Sequence, residues 1–436
     1  MKRIAITLIL ITGFWIQSFA QMKKVILDTD PCFDPDDAGC MAMLHGLASE
    51  GEIEILAMMN STDFVEGPLT ISAINQFYNR GHIPVGDFKG YPKKPAPEGN
   101  YDHHIANNFP RPLEADTDAP AAERLYREIL ASSPDRSVTI IVIGTLHNIE
   151  YLLKTKGDEF SPLSGVELVS KKVAQVVSMG GNFIDGSGHD RANWGGSEFL
   201  CRPDRTWACL DKQRNELSRF VVENCPAPFV ASGWENGNGQ FNEAEQGDVR
   251  TGQGLKNLPE GHVIRRSYEH HFESRGQFDR IDRHSNDQLA LLYATRGKRD
   301  YFTEFIDGRI TFGADGSCEW NREKGGVQGY VDKKASDADL AEVIEALMMS
   351  DVQPKDATPP KAPAGLEQNK EEDGVRLTWD PAEDGSEGSW IGYYKVYRNG
   401  EFLGKAYGIQ YLDTGSGELG NAYRVTAVNV AGLESD

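Results

Sequence analysis

The sequence predicts an α/β fold in which an open, mostly parallel sheet is flanked by helices, followed by a small all-β sandwich. Three observations support this prediction. Short β-branched apolar runs alternate with longer helical stretches from about residue 24 to residue 349, a Pro-rich segment follows, and beyond it apolar residues recur at every second position. Because the period changes across the Pro-rich segment, we expect two folded units, which the length of 436 residues also favours.

The first unit is expected over residues 21–350. Each strand candidate in it is a short apolar run that ends in a loop and leads into a helix candidate. The strand candidates are Lys24–Leu27, Ile53–Met58, Val138–Ile143, Ala174–Ser178 and Phe229–Ala231. The helix candidates are Gly39–Ala48, Thr70–Asn79, Ala121–Ala131 and Asn148–Lys154. Ligands of open α/β sheets bind beyond the carboxyl ends of the strands, so the residues that follow these runs are the first candidates for a functional site.

Residues 1–20 have the pattern of a secretory signal peptide. Lys2 and Arg3 precede an apolar run from Ile4 to Ile16, and the segment closes on Ala20. The apolar run is too short to span a membrane, and no later stretch has the length of unbroken apolar residues that a span requires. The sequence therefore predicts a secreted or periplasmic protein without a membrane span.

The C-terminal part divides into a linker and a small module. Residues 351–363 are rich in proline and lack apolar periodicity, which favours an extended linker. Residues 364–436 contain alternating segments and an Asn399-Gly400 turn signal, which are typical of a β-sandwich. With Trp379 ending an early strand and Tyr423 opening a late one, the module resembles a fibronectin type III domain, whose last strand would follow residue 435. That resemblance leaves open a contact with a surface or a glycan.

The net charge and the cysteines exclude some classes of function. The formal net charge of −21 argues against nucleic acid as a partner, because phosphate backbones are bound by clustered Lys and Arg. The six cysteines are an even number, which permits disulfides in an exported protein, and a pairing of Cys201 with Cys209 is left open. No C-x-x-C pair is present to indicate a zinc or redox site.

The most informative stretch is a loop that carries five carboxylates between a strand candidate and a helix candidate. The five are Asp28, Asp30, Asp34, Asp36 and Asp37. Like charges this close repel one another unless a cation lies among them. Carboxylate oxygens suit calcium or magnesium rather than zinc, and the flexible shell of calcium suits an irregular loop. A solvated acidic turn that caps the next helix is the alternative, whereas an EF-hand lacks its required glycine and glutamate here.

This loop resembles the N-terminal signature of the inosine/uridine-preferring nucleoside hydrolases. Members of that family carry Asp-x-Asp-Pro-Gly-x-Asp-Asp, whereas this chain has Cys32 at the glycine and two further residues before Asp36. The longer spacing resembles a divergent bacterial branch of the family. The resemblance implies one bound Ca²⁺, whose ligands would be Asp30, Asp37, Asp287 and the main-chain carbonyl of His147.

Further segments match the same family in the same order, from about Lys24 to Arg299. They are Asn60 after the second strand, Gly144–Asn148, the Met179-Gly180-Gly181 turn, Asn193 with Glu198-Phe199, and Asn286-Asp287. Leu200 replaces an Asn that normally follows the Glu-Phe pair. Individually several of these matches are common turn or cap residues, so their order carries the resemblance.

The resemblance also implies a chemistry and a role for each residue. Water activated by the cation would attack the sugar of a ribonucleoside or related N-riboside, with Asp30 as the general base. The residues that would orient the substrate are Asp36, Asn60, Asn193, Glu198 and Asn286. Asp28 would hold the loop in place without binding the cation itself. His284 is a candidate for leaving-group activation, because Asn286 stands where the family has its histidine; a surface-loop histidine without such a role is the equal alternative.

Two other functions compete with hydrolysis of an N-glycosidic bond. Phosphatases of the haloacid dehalogenase type also place Asp-x-Asp after an apolar strand, but they carry Thr or Val four residues after the nucleophile, where this chain has Cys32. A non-catalytic protein that binds a nucleoside or a sugar on the same fold is the more serious alternative. The preferred base and the formation of homo-oligomers stay open.

Overall fold

The computed structural model describes most of the chain after residue 21. The described ranges are 22–183, 192–195, 211–238, 247–313, 317–351, 358–371, 373–384, 391–406, 408–415, 419–429 and 432–436. The predicted signal peptide, Glu198, Leu200 and the Cys201–Cys209 pair lie outside them, as does much of the predicted linker. Among the described helices, none is long and apolar enough to cross a membrane.

The α/β unit is built from ten helices and eleven strands within those ranges. The helices are α1 Asp36–Ser49, α2 Glu66–Phe77, α3 Tyr101–Asn108, α4 Ala122–Ser132, α5 His147–Lys154, α6 Gly165–Lys172, α7 Asp211–Asn224, α8 Val263–Glu273, α9 Asn286–Arg296 and α10 Asp337–Met348. The strands are β1 Lys23–Thr29, β2 Ile53–Asn60, β3 Val85–Asp87, β4 Val138–Val142, β5 Val173–Met179, β6 Phe229–Ser232, β7 Arg250–Thr251, β8 Arg283–His284, β9 Phe302–Phe312, β10 Cys318–Asn321 and β11 Gln328–Lys333.

Nine of these strands form one open sheet in the order β10-β9-β11-β6-β5-β4-β1-β2-β3. The strands from β11 to β3 are parallel to one another, whereas β9 is antiparallel to both β11 and β10. Central strand β1 is covered on both faces: Val25 and Leu27 lie in one apolar core and Ile26 in the other. The predicted fold class, an open and mostly parallel sheet with flanking helices, is confirmed.

Helix α1 begins three residues earlier than the apolar pattern predicts. It starts at Asp36, and Gly39 is its fourth residue. Acidic side chains in a first turn are stabilised by the partial positive charge of the helix N-terminus, so Asp36 and Asp37 belong to the helix and not to the preceding loop. The beginning of α1 thereby fixes both carboxylates on a rigid element.

The C-terminal module consists of two antiparallel sheets that enclose a small core. Its strands are β12 Glu367–Glu371, β13 Gly374–Thr378, β14 Ile391–Arg398, β15 Glu401–Ala406, β16 Gln410–Asp413 and β17 Tyr423–Asn429, in the orders β12-β13-β16 and β15-β14-β17. Trp379 and Tyr394 meet edge to face in the core between them, with ring centroids 5.3 Å apart. Asn399 and Gly400 both have positive φ, as a tight hairpin turn between β14 and β15 requires. The predicted all-β sandwich is confirmed.

The module contacts the α/β unit through polar side chains around Glu260. The Glu260 carboxylate accepts a hydrogen bond from the Tyr393 hydroxyl at 3.0 Å and pairs with the Lys405 ammonium, which also lies over the Tyr393 ring. Arg265 lies 3.9 Å from the other carboxylate oxygen. Partly exposed ion pairs of this kind contribute roughly 0–1 kcal/mol to stability. We therefore expect the α/β unit to fold without the module.

A chain truncated after Met349 is expected to keep the α/β fold. Its thermal unfolding midpoint, measured by circular dichroism, should lie within about 2 °C of the corresponding transition of the full chain, because the entropy of unfolding of so large a unit makes a loss of about 1 kcal/mol a small shift. The matched control is Glu260→Ala in the full chain, which removes only the contact. A truncated chain that is unfolded would show that the module is part of the α/β core.

Candidate functional site

Three buried carboxylates meet at the carboxyl edge of the sheet. Oxygen atoms of Asp36, Asp37 and Asp287 lie within 4.8 Å of one another, and the three side chains are 8%, 3% and 4% exposed. Asp36 and Asp37 are the first two residues of α1, and Asp287 is the second residue of α9, which packs against α1. The structure thus brings together two predicted cation ligands, Asp37 and Asp287, and places Asp36 in the same group.

The electrostatics of this group favour a bound cation. Burial and the neighbouring carboxylates raise the pKa of Asp36 and of Asp287 well above the usual range. Burial also raises the pKa of Asp37 to about 7, although its carboxylate accepts hydrogen bonds from the Thr29 hydroxyl and, at 3.1 Å, from the Asp30 N–H. Three buried, mutually repelling carboxylates are stabilised when a cation neutralises them.

The donor atoms present fit a hard divalent cation. Carboxylate oxygens are the ligands that Ca²⁺ and Mg²⁺ prefer, and all three side chains offer them. Asn286, which precedes Asp287, has a buried side-chain oxygen that finds no hydrogen-bond partner among the residues that the structure describes. The three-carboxylate group therefore suits calcium or magnesium, and the nearby Cys40 thiol lies 3.7 Å from the Asp287 carbonyl oxygen.

Asp28 lies within β1, and Asp30 directly follows the strand. Asp30 is only partly buried, and its charge contributes to the raised pKa of Asp287, which places it near the three-carboxylate group. Asp28 is fully buried behind the loop, where it accepts hydrogen bonds from the Tyr126 hydroxyl at 2.9 Å and from the Asn148 amide at 3.0 Å. Burial raises the pKa of Asp28 to about 7, although these two hydrogen bonds lower it.

His147 begins α5, beyond the carboxyl end of β4. Its ring is held away from solvent by Thr145, whose Oγ1 lies 2.8 Å from Nδ1, and by Phe88, whose ring centroid lies 4.9 Å away. Tyr91 Oη lies 3.4 Å from Nε2. The imidazole is therefore used for packing, which is compatible with the prediction that only its main-chain carbonyl serves the site.

Two of the predicted sugar-binding residues, Asn60 and Asn193, form hydrogen bonds within the protein through their side-chain amides. The Asn60 amide donates to Asp87 Oδ1 at 2.8 Å and to the Thr62 carbonyl at 3.1 Å, and its oxygen accepts from the Thr62 hydroxyl. Asn193, in a single 3-10 turn, donates to the Ile143 carbonyl at the end of β4. Both residues lie at the carboxyl edge of the sheet. A sugar that contacts them would exchange some of these bonds for its own.

The predicted leaving-group acid, His284, has other partners. Its Nε2 lies 3.0 Å from Asp248 Oδ2 and 2.7 Å from Arg250 Nη1, and burial lowers its pKa. Side chains of successive strand residues point to opposite faces, and its neighbour Arg283 contacts Asp34 on the carboxylate loop. Arg283 rather than His284 therefore faces the loop.

Two features near the carboxylates were not predicted from the sequence. One is the pair of Asp34 with Arg283, whose partners are 249 residues apart. The other is Asp102, a fully buried carboxyl on α3 whose N–H lies 3.5 Å from the Cys32 carbonyl and whose pKa burial raises well above the usual range. Neither has a local sequence signal, because both depend on contacts between distant segments.

The fold is shared with solved nucleoside hydrolases. The inosine-guanosine nucleoside hydrolase has 16% sequence identity and a TM-score of 0.52 over 76% of this chain and 98% of its own. The purine-preferring ribonucleoside hydrolase from Gardnerella vaginalis has 14% identity and a TM-score of 0.51 over 76% and 98%. The type III effector protein XopQ, complexed with adenosine diphosphate ribose, has 14% identity and a TM-score of 0.50 over 77% and 94%. No family model matches the sequence, nor does any curated protein. At these identities the comparisons establish a nucleoside hydrolase-like fold.

Proposed function

We propose that this protein hydrolyses the N-glycosidic bond of a ribonucleoside or a related N-riboside, with calcium as its cofactor. The observation that supports this most is the group of Asp36, Asp37 and Asp287, buried at the carboxyl edge of a nucleoside hydrolase-like sheet. Ligands of open α/β sheets bind at that edge, and a hard cation there has a direct use in attack by water on a sugar.

The carboxylates of Asp37 and Asp287 hold the cation in this proposal, with Asp30 and the main-chain carbonyl of His147 completing the set. A bound calcium ion would polarise a water and orient the vicinal hydroxyls of the sugar. Calcium is preferred over magnesium because Asp30 lies in the irregular loop between β1 and α1, and calcium tolerates irregular coordination better than magnesium does.

Asp30 is the general base in this proposal. It is less buried than the three-carboxylate group, so a water can reach it, and its N–H bond to Asp37 fixes the loop around it. Asp30 would take one proton from the water while the water oxygen bonds to the anomeric carbon. The C–N bond breaks, and its electron pair leaves with the nucleobase or other leaving group.

The sugar would be oriented by side chains at the same edge. Asp36 lies in the carboxylate group, and Asn286 directly precedes Asp287 at the start of α9. Asn60 ends β2, and Asn193 donates to the Ile143 carbonyl just after β4, so both would exchange a protein partner for a sugar hydroxyl. Glu198 is proposed from the sequence resemblance. Such positioning can supply about 7–11 kcal/mol of the barrier, which makes these contacts as important as the base.

We also propose that the protein acts outside the cytoplasm, as the signal-peptide pattern of residues 1–20 indicates. Its partner is then a small nucleoside or N-glycoside rather than a polymer, consistent with the net charge of −21. The module from residue 364 onward, with its resemblance to fibronectin type III domains, would serve attachment and not chemistry.

A non-catalytic binding protein is the second candidate function. The effector XopQ, solved with adenosine diphosphate ribose, has the same fold and resembles this chain about as closely as the hydrolases do. Catalysis is favoured because the chain keeps a base candidate, Asp30, beside the three carboxylates. Binding alone needs no base at that position.

A substrate screen tests the proposal. Purified protein is incubated with ribonucleosides and related N-ribosides, with added calcium or with a chelator, and the release of reducing sugar is measured. We expect release from at least one N-riboside that the chelator abolishes and calcium restores. Tight binding of a nucleoside without any release would favour the non-catalytic function instead.

A further inference from the structure

The residues of the carboxylate group come from two segments that are far apart in the chain. Asp36 and Asp37 open α1, and Asp287 lies at the start of α9. A cation can be held only if these two helix starts keep a fixed separation. The group itself works against this, because its buried carboxylates repel one another until a cation arrives.

One ion pair joins the segments that lead into these two helices. Asp34 lies two residues before the first residue of α1, and Arg283 lies three residues before the first residue of α9. Arg283 Nε lies 2.8 Å from Asp34 Oδ1 and 3.0 Å from Oδ2, and the Nη2 atom also contacts Oδ2. Both side chains are about a quarter exposed, so water screens the pair only in part.

Neighbouring groups hold this ion pair in place. The carbonyl oxygen of Phe33, next to Asp34, accepts a hydrogen bond from His271 Nδ1 at 2.5 Å, and the Arg275 guanidinium lies 4.8 Å from the Phe33 ring centroid. Arg283 is fixed on its own side because β8 pairs with β7. The pair therefore connects two anchored segments rather than two mobile side chains.

We propose that Arg283 is a positioning residue for the cation site, which it assembles by clamping Asp34 and thereby the start of α1 to the start of α9. This inference rests on the proposed function only in its requirement for a bound cation. The ion pair is electrically neutral as a whole, so its effect on a cation arises from position rather than from charge. The planar guanidinium bonds both carboxylate oxygens, a geometry that a lysine ammonium cannot reproduce.

The test is a calorimetric titration of chelator-treated full-length protein with calcium chloride. The double variant D34A/R283A removes the pair without changing the net charge. We expect it to bind calcium about 10–100-fold more weakly than the wild type, as is typical when groups that orient metal ligands are lost. Circular dichroism should show a retained fold, and kcat should recover at saturating calcium, because the ligands and the base are intact.

A matched control separates positioning from general stability. Arg127 and Asp158 form another two-pronged pair, with distances of 2.6 and 2.8 Å, between α4 and the loop before α6. The double variant R127A/D158A should bind calcium as tightly as the wild type even if it unfolds at a lower temperature. R283K, which keeps the charge but not the two-pronged geometry, should also bind calcium more weakly.

The outcomes distinguish this inference from the proposed function. Unchanged calcium affinity in a folded D34A/R283A variant would overturn the clamp while leaving the cation site standing. If that variant does not fold, R283K decides, and wild-type affinity in R283K overturns the clamp. A wild-type protein that binds no calcium would instead remove the cation from the proposed function, and with it the need for any clamp.

Discussion

Asp37→Ala and Asp287→Ala are each expected to abolish calcium binding and hydrolysis together. Each substitution removes one of three buried carboxylates that lie within 4.8 Å of one another, so the remaining oxygens cannot surround a cation. Elemental analysis of protein prepared without chelator should find about one calcium per wild-type chain and none in either variant. Reducing-sugar release should fall to the background rate.

Asp30→Asn should separate binding from catalysis. The amide keeps an oxygen for the cation but cannot accept the proton of the water, so much of the calcium should remain while kcat falls by about 10²–10⁴-fold. The matched control is Asp413→Asn, which alters a buried carboxylate of the module that accepts hydrogen bonds from Arg398 and Tyr423. Full activity in Asp30→Asn would require a different base, and a metal-free wild type would remove the basis of the mechanism.

The parallel part of the sheet was predictable because burial on both faces leaves a clear pattern. Strands β1, β2, β4, β5 and β6 coincide with the predicted apolar runs within a few residues. The antiparallel strand β9, which lies second from one edge of the sheet, was not predicted. It carries Glu304, Asp307 and Arg309 among apolar residues, because an antiparallel strand with one face toward water needs no continuous apolar run. Strand β3, with three residues, is too short for any periodicity to show.

The candidate site was predictable in its residues but not in its contacts. Five acids in one loop predicted a cation, and Asp287 was found through its order in the family pattern rather than through any local signal. The pair of Asp34 with Arg283 could not be predicted, since nothing in the sequence relates two residues 249 positions apart. The start of α1 at Asp36 was also missed, since the predicted helix began at Gly39. Apolar periodicity does not detect a buried carboxylate at a helix start.

The loop between β1 and α1 is longer than the family pattern, and contacts with other segments hold the added residues. Asp34 lies in the stretch by which this loop exceeds the Asp-x-Asp-Pro-Gly-x-Asp-Asp pattern. Each added residue costs about 1–2 kcal/mol of backbone entropy when it is fixed. The bonds from Arg283 to Asp34 and from His271 to the Phe33 carbonyl act against that cost, because they hold the added stretch to two other segments of the chain.

The leaving group should determine which substrate is cleaved fastest. Hypoxanthine leaves inosine poorly unless a proton donor reaches it, whereas nicotinamide leaves its riboside as a neutral molecule without protonation. His284, the predicted donor, already lies within hydrogen-bond distance of Asp248 and Arg250, and burial lowers its pKa, which disfavours the protonated form that would donate to the leaving base. We expect kcat/KM for nicotinamide riboside to exceed that for inosine by about 10²-fold or more, the usual contribution of a general acid.

Steady-state kinetics on both substrates, at saturating calcium, measures this difference. His284→Ala is the informative variant, because it should leave both values unchanged if the histidine serves only to hold Asp248 and Arg250. Equal or better turnover of inosine by the wild type would mean that a competent proton donor is present. His284→Ala and Asp102→Asn would then identify it: loss of inosine turnover with retained nicotinamide riboside turnover marks the donor, since only the substrate that needs a proton responds to its removal.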